Sequence, residues 1–331
     1  MRYVFTIFFL TFLTFGFGQN QHEKSVLFIG NSFTFFNDMP FIFRDISDSF
    51  GKKVFVDTLV KQGQNLSYHA RQKGTYDKIK SRKWDFVVIQ GHSDEFAQPE
   101  SVINQKTLPF ARQIIDSIMD NNPCAKIIFY MTWGYKNGNP RWQPISSYQL
   151  MQEVIEKEYL RFSDIFSASI APVGMVWEDV FFKNPGLNLY NADLHHPSLL
   201  GSYLSACTFY ASIFGVSPMN CPLKMQLPDE ERRVIELSAS QVVLNNLNKW
   251  RWAPIYPEMQ TGFDLILQNK ALELVNRAQN YRSIQWHFGD GDTTEETDPK
   301  HVYNENGSYL IIQRVSNECY TLQLERKIEV N

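Results

Sequence analysis

The stretch VLFIGNSFTFF, Val26 to Phe36, decides how the chain is read. Four consecutive apolar residues, Val26 to Ile29, form the kind of unbroken run that is buried on both faces, as in a strand of a parallel sheet. Gly30 then lets the backbone turn tightly, and Ser32 sits just past the strand, where the chain must turn toward a helix. In an open parallel sheet, ligands bind outside the carboxyl ends of the strands. Ser32 is therefore a candidate nucleophile, flanked by backbone N–H groups able to hold an oxyanion. The alternative is that its hydroxyl only caps the following helix.

Similar apolar runs recur at Val54 to Val60, Phe86 to Ile89, Ile127 to Met131 and Ser169 to Met175. Between them, FARQIIDSIMDNN places Phe110, Ile114, Ile115, Ile118 and Met119 on one helical stripe, with Arg112, Asp116 and Asp120 facing away. SYQLMQEVIEKEYLRFS and LLGSYLSACTFYASIFG continue the alternation, and DEERRVIELSASQVVLNNLNKW, entered through Pro228, reads as the last helix of this unit. Strands alternating with helices predict a parallel sheet covered on both sides. RWAPIYPEMQTG, with two prolines and no periodicity, reads as a linker over 251–260. From 261 to 331 the pattern becomes that of an all-β sandwich: FDLILQN, ALELVNR, SIQWHFGDGD, HVYNENGSYLIIQRVSN and CYTLQLERKIEV, separated by Gly, Asp and Asn turns.

At the other end, MRYVFTIFFLTFLTFGFG combines Arg2, an apolar stretch and small glycines, the pattern of a cleaved signal peptide over 1–18. A secreted or periplasmic protein is expected, with no membrane insertion once the leader is gone. Losing Arg2 moves the formal charge from −3 to −4, and such mild acidity argues against a nucleic-acid surface. Cys124, Cys207, Cys221 and Cys319 lack metal-ligand spacing and are expected as buried thiols, with a Cys207–Cys221 bridge as the alternative.

A second polar segment, YNADLHHPSLLGSYLS, carries Asp193, His195 and His196 ahead of a helix that Ser198 would cap. The D-x-x-H offset lets the Asp193 carboxylate reach one ring nitrogen of His196, leaving the other free to act as a base. His195 reads as a loop residue without an assigned task. A metal site built from Asp193, His195 and His196, with His92 and Asp94 in support, is the competing reading. Adjacent histidines do not easily point both rings at one ion, so no metal is expected.

Three blocks in order, FIGNSFTFF, VKQGQNLSYHA and DLHHPSLLGSYLSA, make residues 24–250 resemble the SGNH (GDSL-like) hydrolases, in the branch whose nucleophile motif reads G-N-S. The resemblance implies a flavodoxin-like three-layer α/β/α sandwich and a catalytic triad of Ser32, His196 and Asp193 that needs no cofactor. It also implies that Gly63 shares the oxyanion hole with the Ser32 N–H. The family's third block, G-x-N-D, is missing: IQGHSDEF aligns Gly91 and puts Ser93 where an asparagine is usual. Gln90 and Ser93 are the candidates to supply the missing donor. Asn31, where the family commonly has aspartate, is expected to matter less.

SIQWHFGDGDTTEETDPKHVYNENGSYLIIQRVSN resembles the PKD domain, an immunoglobulin-like sandwich, through W-x-F-G-D-G, Pro299 to Tyr303 and Gly307 to Tyr309. Asp290 and Asp292 most simply make a tight turn; two carboxylates alone do not complete a calcium site. Together the resemblances imply a secreted serine esterase that removes O-acyl groups, acetyl foremost, from a small molecule or polysaccharide. Trp133 and Tyr135 are candidates for a sugar-stacking wall beside the site, with core or loop packing as the alternative. The alternatives are a lipase or thioesterase for longer acyl chains, using the FTFF run, and a non-catalytic glycan-binding surface protein on a hydrolase scaffold.

Overall fold

The computed structural model describes residues 23–92, 94–252, 259–319 and 321–331. The expected leader over 1–18 lies outside the described residues, as do Ser93 and the middle of the expected linker.

Five strands, β1 (Lys24–Gly30), β2 (Val54–Val60), β3 (Phe86–Ile89), β4 (Lys126–Tyr130) and β5 (Ser169–Ala171), form one parallel sheet in the order β2-β1-β3-β4-β5. This is the flavodoxin-like order, so the expected α/β class holds. The apolar runs behave as read: Val26 to Ile29 are fully buried, and so are Val87 to Ile89 of β3. Among the described residues, ten α-helices connect and follow the strands: α1 (Ser32–Phe35), α2 (Met39–Ser49), α3 (Leu66–Arg71), α4 (Lys73–Lys80), α5 (Glu100–Lys106), α6 (Leu108–Asn121), α7 (Tyr148–Phe166), α8 (Val173–Lys183), α9 (Leu199–Phe214) and α10 (Asp229–Leu244). Helices α2, α8 and α10 pack on α9, while α3, α4 and α5 pack on α6. Right-handed crossovers from a sheet whose order reverses at β1 put these two groups on opposite faces.

The fifth strand is shorter than its apolar run. Pro172 has no N–H for the ladder, and the chain turns there into α8, whose Val173, Val176, Trp177 and Val180 are buried. Helix α9 is buried over nearly its whole length, which explains the weak polar face of its sequence.

The C-terminal residues form two antiparallel sheets, β10-β7-β6 and β12-β11-β8-β9, from β6 (Phe263–Gln268), β7 (Ala271–Asn276), β8 (Ser283–His287), β9 (Thr293–Thr294), β10 (Lys300–Val302), β11 (Gly307–Ser316) and β12 (Thr321–Val330). They enclose a separate core of Phe263, Leu272, Trp286, Tyr303, Ile311 and Val315, the expected all-β sandwich. Both ends of the linker expected over 251–260 are packed rather than free. Trp252 joins the first core and donates its indole N–H to Ile170 O, whereas Met259 joins the second and Gln260 pairs with Gln279.

The cysteines differ from expectation. Cys124, in the turn between α6 and β4, forms a disulfide with Cys319, in the turn between β11 and β12. Cys207 and Cys221 are buried free thiols and no bridge joins them. The reading of Cys124 and Cys319 as buried thiols is corrected, because residues 195 apart in sequence meet where the two units approach.

Candidate active site

The site forms at the carboxyl ends of β1 and β3, where the strand order reverses, the place at which open parallel sheets bind ligands. A turn at Gly30–Asn31 sends the chain from β1 into α1, with Ser32 as the first helical residue. The cap is not Ser32: Asn31 Oδ1 accepts from Phe33 N at 3.1 Å, which frees the Ser32 hydroxyl. Gly30 is required by close approach, since a Cβ there would run into Thr34 Oγ1 and Gln90 Oε1.

The second element is the loop between α8 and α9. Asn191 N donates to His196 O at 2.7 Å and Ser198 N to Leu189 O at 2.9 Å, closing the loop at its base. Ser198 caps α9 by accepting from Gly201 N at 3.1 Å. At the tip Leu194 takes a left-handed conformation, φ 64°, a strain of about 1–2 kcal/mol for a non-glycine residue. Hydrogen bonds from Leu194 N to Asn191 O and from Lys136 N to Leu194 O hold it there. This turn brings Asp193 and His196 to the same side.

The geometry follows. His196 Nε2 lies 2.8 Å from Ser32 Oγ, and His196 Nδ1 lies 2.6 Å from Asp193 Oδ2. Asp193 Oδ1 accepts from His195 N at 3.1 Å and from His196 N at 2.9 Å. Partial burial opposes the Asp193 charge, but the His196 N–H, the His196 ring and the His195 N–H outweigh it and draw the pKa down to about 2. An ionised carboxylate on Nδ1 fixes the tautomer that leaves Nε2 as an acceptor, so the imidazole can take the Ser32 proton. Ser32 as a residue is buried, 5 % exposed.

His195 points elsewhere. Its Nδ1 lies 2.9 Å from Asp193 O, and its own carbonyl accepts from Trp133 Nε1 at 3.0 Å. The ligand atoms of Asp193, His195 and His196 do cluster within 4.8 Å, but the Asp193–His196 contact is a hydrogen bond that aligns the base. In the β unit, Asp290, Asp292 and His301 cluster likewise. Asp290 Oδ2 bonds His301 Nε2 at 2.6 Å while its Oδ1 accepts from Asp292 N, as a turn requires.

Two expectations are corrected. Gln90 does not present an amide to the oxyanion: its Oε1 accepts from Asn31 N at 2.9 Å and Thr34 Oγ1 at 2.8 Å, while its Nε2 donates to Gly91 O. Buried, with its oxygen taken by Asn31 N and Thr34 Oγ1, Gln90 braces the nucleophile turn. Trp133 is not a sugar-stacking wall. It is fully buried, sandwiched between Phe33 at 4.8 Å and Trp177 at 3.9 Å, so neither face is open. Tyr135 is half-buried with its ring against His195 at 5.4 Å, at the rim of the triad loop.

Gly63 has φ +66° in the turn after β2, where a glycine is favoured. Among the described residues, neither its N–H nor that of Ser32 takes a hydrogen-bond partner. The turn is drawn to the nucleophile by Lys61 N donating to Gly30 O at 3.1 Å and by Asn31 Nδ2 donating to Gln64 O at 2.9 Å. His69, buried on α3, completes the support with its Nε2–H on Gly30 O at 2.9 Å; burial lowers its pKa and the Gly30 carbonyl works against that shift. His69 and Glu95 are the supporting residues that pattern reading passed over. Their partners lie in other loops, and no local spacing marks them.

Comparison with known proteins places these observations. Residues 267–330 match the family model of the PKD domain. In structure the chain is similar to a DUF4886 family protein from Bacteroides uniformis, at 15% identity and a TM-score of 0.57, covering 67% of this chain and 95% of that one. It is also similar to a protein from Slackia heliotrinireducens described as a candidate SGNH hydrolase, at 23% identity and a TM-score of 0.46, covering 58% and 100%. The third is the PKD1 domain of the Vibrio cholerae metalloprotease PrtV, at 24% identity and a TM-score of 0.22, covering 23% and 99%. The first of these likenesses shows a shared fold. No curated protein matches the sequence significantly.

Proposed function

We propose that this chain is an extracytoplasmic serine esterase of the SGNH type, removing short O-acyl groups, acetyl foremost, from carbohydrate, with a PKD domain at its C-terminus. One observation carries the reading: the unbroken hydrogen-bond chain from Ser32 Oγ through the His196 ring to an ionised Asp193.

In this mechanism His196 Nε2 takes the Ser32 proton as Oγ attacks the ester carbonyl. The N–H groups of Ser32 and Gly63 hold the tetrahedral oxyanion, and protonated His196 returns its proton to the departing alcohol. Water, deprotonated by His196, then hydrolyses the acyl-enzyme and restores Ser32. Asp193 stays ionised throughout and stabilises the imidazolium. With Gln90 committed to the turn, the hole rests on backbone donors of the chain's own loops.

The short acyl group is supported by what the FTFF run does. Phe33, the first ring of the run, is buried in the stack with Trp133 and Trp177 and so does not line an acyl-chain groove. The extracytoplasmic setting is supported by the leader-like N-terminus and by the Cys124–Cys319 disulfide, a bond that persists in oxidising compartments. No helix among the described residues is long and apolar enough to cross a membrane.

The test compares acetate release from an O-acetylated polysaccharide with hydrolysis of acetyl and octanoyl esters of p-nitrophenol. Acetate release together with preference for the acetyl ester is expected. Preference for the octanoyl ester with no acetate release would move the assignment to the lipase class.

A further inference from the structure

We infer that Asn31 and Glu95 form a two-sided clamp that sets the position of the Gly63 turn, and so act as positioning residues for the oxyanion hole. The inference rests on the esterase reading. It concerns two loops, one after β2 carrying Gly63 to Leu66 and one after β3 carrying Gly91 and His92.

Asn31 grips both loops by their carbonyls: its Nδ2 donates to Gln64 O at 2.9 Å and, at the longer distance of 3.4 Å, to Gly91 O. Glu95 grips the same loops by their amides: its Oε2 accepts from Leu66 N at 3.3 Å and His92 N at 2.8 Å. Its other oxygen, Oε1, accepts from Thr107 Oγ1 at 3.0 Å at the start of α6, which anchors the carboxylate to the scaffold. Both side chains are buried, 1 % and 8 % exposed, so these bonds do not compete with bulk water.

Two backbone bonds, Lys61 N to Gly30 O at 3.1 Å and Gln64 N to Lys61 O at 3.2 Å, hold the near side of the turn. Gly63 itself is exposed at positive φ, and a Cβ built on it would have nothing within 4 Å, so its own packing does not fix it. The far side of the turn, Gln64 to Leu66, is set by the side chains of the clamp. Chemistry also dictates the residue type at 31. The side chain must accept from Phe33 N and donate to two carbonyls at once, which an amide does and an ionised carboxylate cannot. An asparagine in the G-N-S motif is thus matched to the carbonyls of Gln64 and Gly91, a role beyond the expectation that asparagine in place of aspartate at 31 matters less than the missing third-block asparagine.

The experiment measures kcat and KM for p-nitrophenyl acetate, with thermal midpoints, in wild type, Asn31→Asp, Glu95→Gln, Glu95→Ala and Ser32→Ala. Asn31→Asp turns a carboxylate on two carbonyls; kcat should fall about 10- to 100-fold with KM within about two-fold, as for a misplaced transition-state donor. Glu95→Gln keeps a carbonyl for both N–H groups and an amide for Thr107 Oγ1, and should retain most of the rate, whereas Glu95→Ala should behave like Asn31→Asp. Wild-type kcat in folded Asn31→Asp contradicts the clamp. If that variant does not fold, equal rates in Glu95→Ala and Glu95→Gln contradict it instead. A wild type no faster than Ser32→Ala is a different outcome and contradicts the esterase reading itself.

Discussion

The ring of Phe36 lies face to face with the imidazole of His196, centroids 4.4 Å apart and planes 16° from parallel. Phe33 meets the same imidazole by its edge at 5.3 Å. The base is thus held between two rings of the helix-turn that carries Ser32, and the face of Phe36 favours the imidazolium that forms during attack. Such a contact contributes about 0.5 to 2 kcal/mol. Phe36→Leu, which keeps the apolar bulk and removes the ring, should lower kcat several-fold with little change in KM. Steady-state kinetics on a short-chain ester checks this, and an unchanged kcat would show that the stack only fills space.

The adjacent histidines should respond unequally. His196→Ala removes the side chain that bridges Ser32 and Asp193 and should abolish turnover. His195→Ala should retain most of it, because the contacts that matter at position 195 use its backbone: the N–H on Asp193 and the carbonyl under Trp133 Nε1. The reverse pattern would overturn the assignment of the base.

Asp193 sets the pH behaviour from below. Its folded pKa, near 2, lies under the ordinary carboxylate value, so its contribution is present above that ordinary value and is lost only as pH falls toward about 2. Turnover should therefore show no carboxylate step between about pH 4 and 6. Asp193→Asn keeps the shape but donates or accepts in the wrong sense at Nδ1; a loss on the order of 10⁴ in kcat is the precedent for such a change in a triad. A pH–rate profile of both proteins checks this, and a profile of wild type with an added acidic limb near pH 4 to 5 would contradict it.

The disulfide makes a prediction about the PKD domain. Cys124 precedes β4, and Trp252 packs beside Ile170 at the start of β5, so both attachments of the β unit lie at the amino ends of the strands. Ser32 lies at the carboxyl ends, on the opposite side of the parallel sheet. Replacing Cys124 and Cys319 together by serine should leave hydrolysis of a small ester within about two-fold of wild type, since no catalytic group is touched. It should also expose residues 251–260 to faster cleavage by added protease. A collapse of small-ester turnover in the well-folded double variant would instead place the β unit at the cleft.

Much of this arrangement was legible in the sequence because it is local. The apolar run before Gly30, the D-x-x-H offset and the Ser198 cap each depend on residues within a few positions of one another, and backbone geometry carries them into place. What was not legible depends on distant partners. Gln90 at a strand end looks like a free amide until Asn31 N and Thr34 Oγ1 arrive from another loop and claim its oxygen. Trp133, in a polar and glycine-rich stretch, looks open until Phe33 and Trp177 cover its two faces. Glu95 carries no motif, and Cys124 pairs with a cysteine 195 residues away across two units that differ in texture. Spacing along a chain cannot report such meetings.

The central claim is that Ser32 is a nucleophile activated by His196. Its most direct test is hydrolysis of p-nitrophenyl acetate by purified wild type and by Ser32→Ala, with matched circular dichroism and thermal midpoints. Turnover by wild type, falling to the uncatalysed background in Ser32→Ala, is the expected result. Equal rates in the two proteins would contradict it.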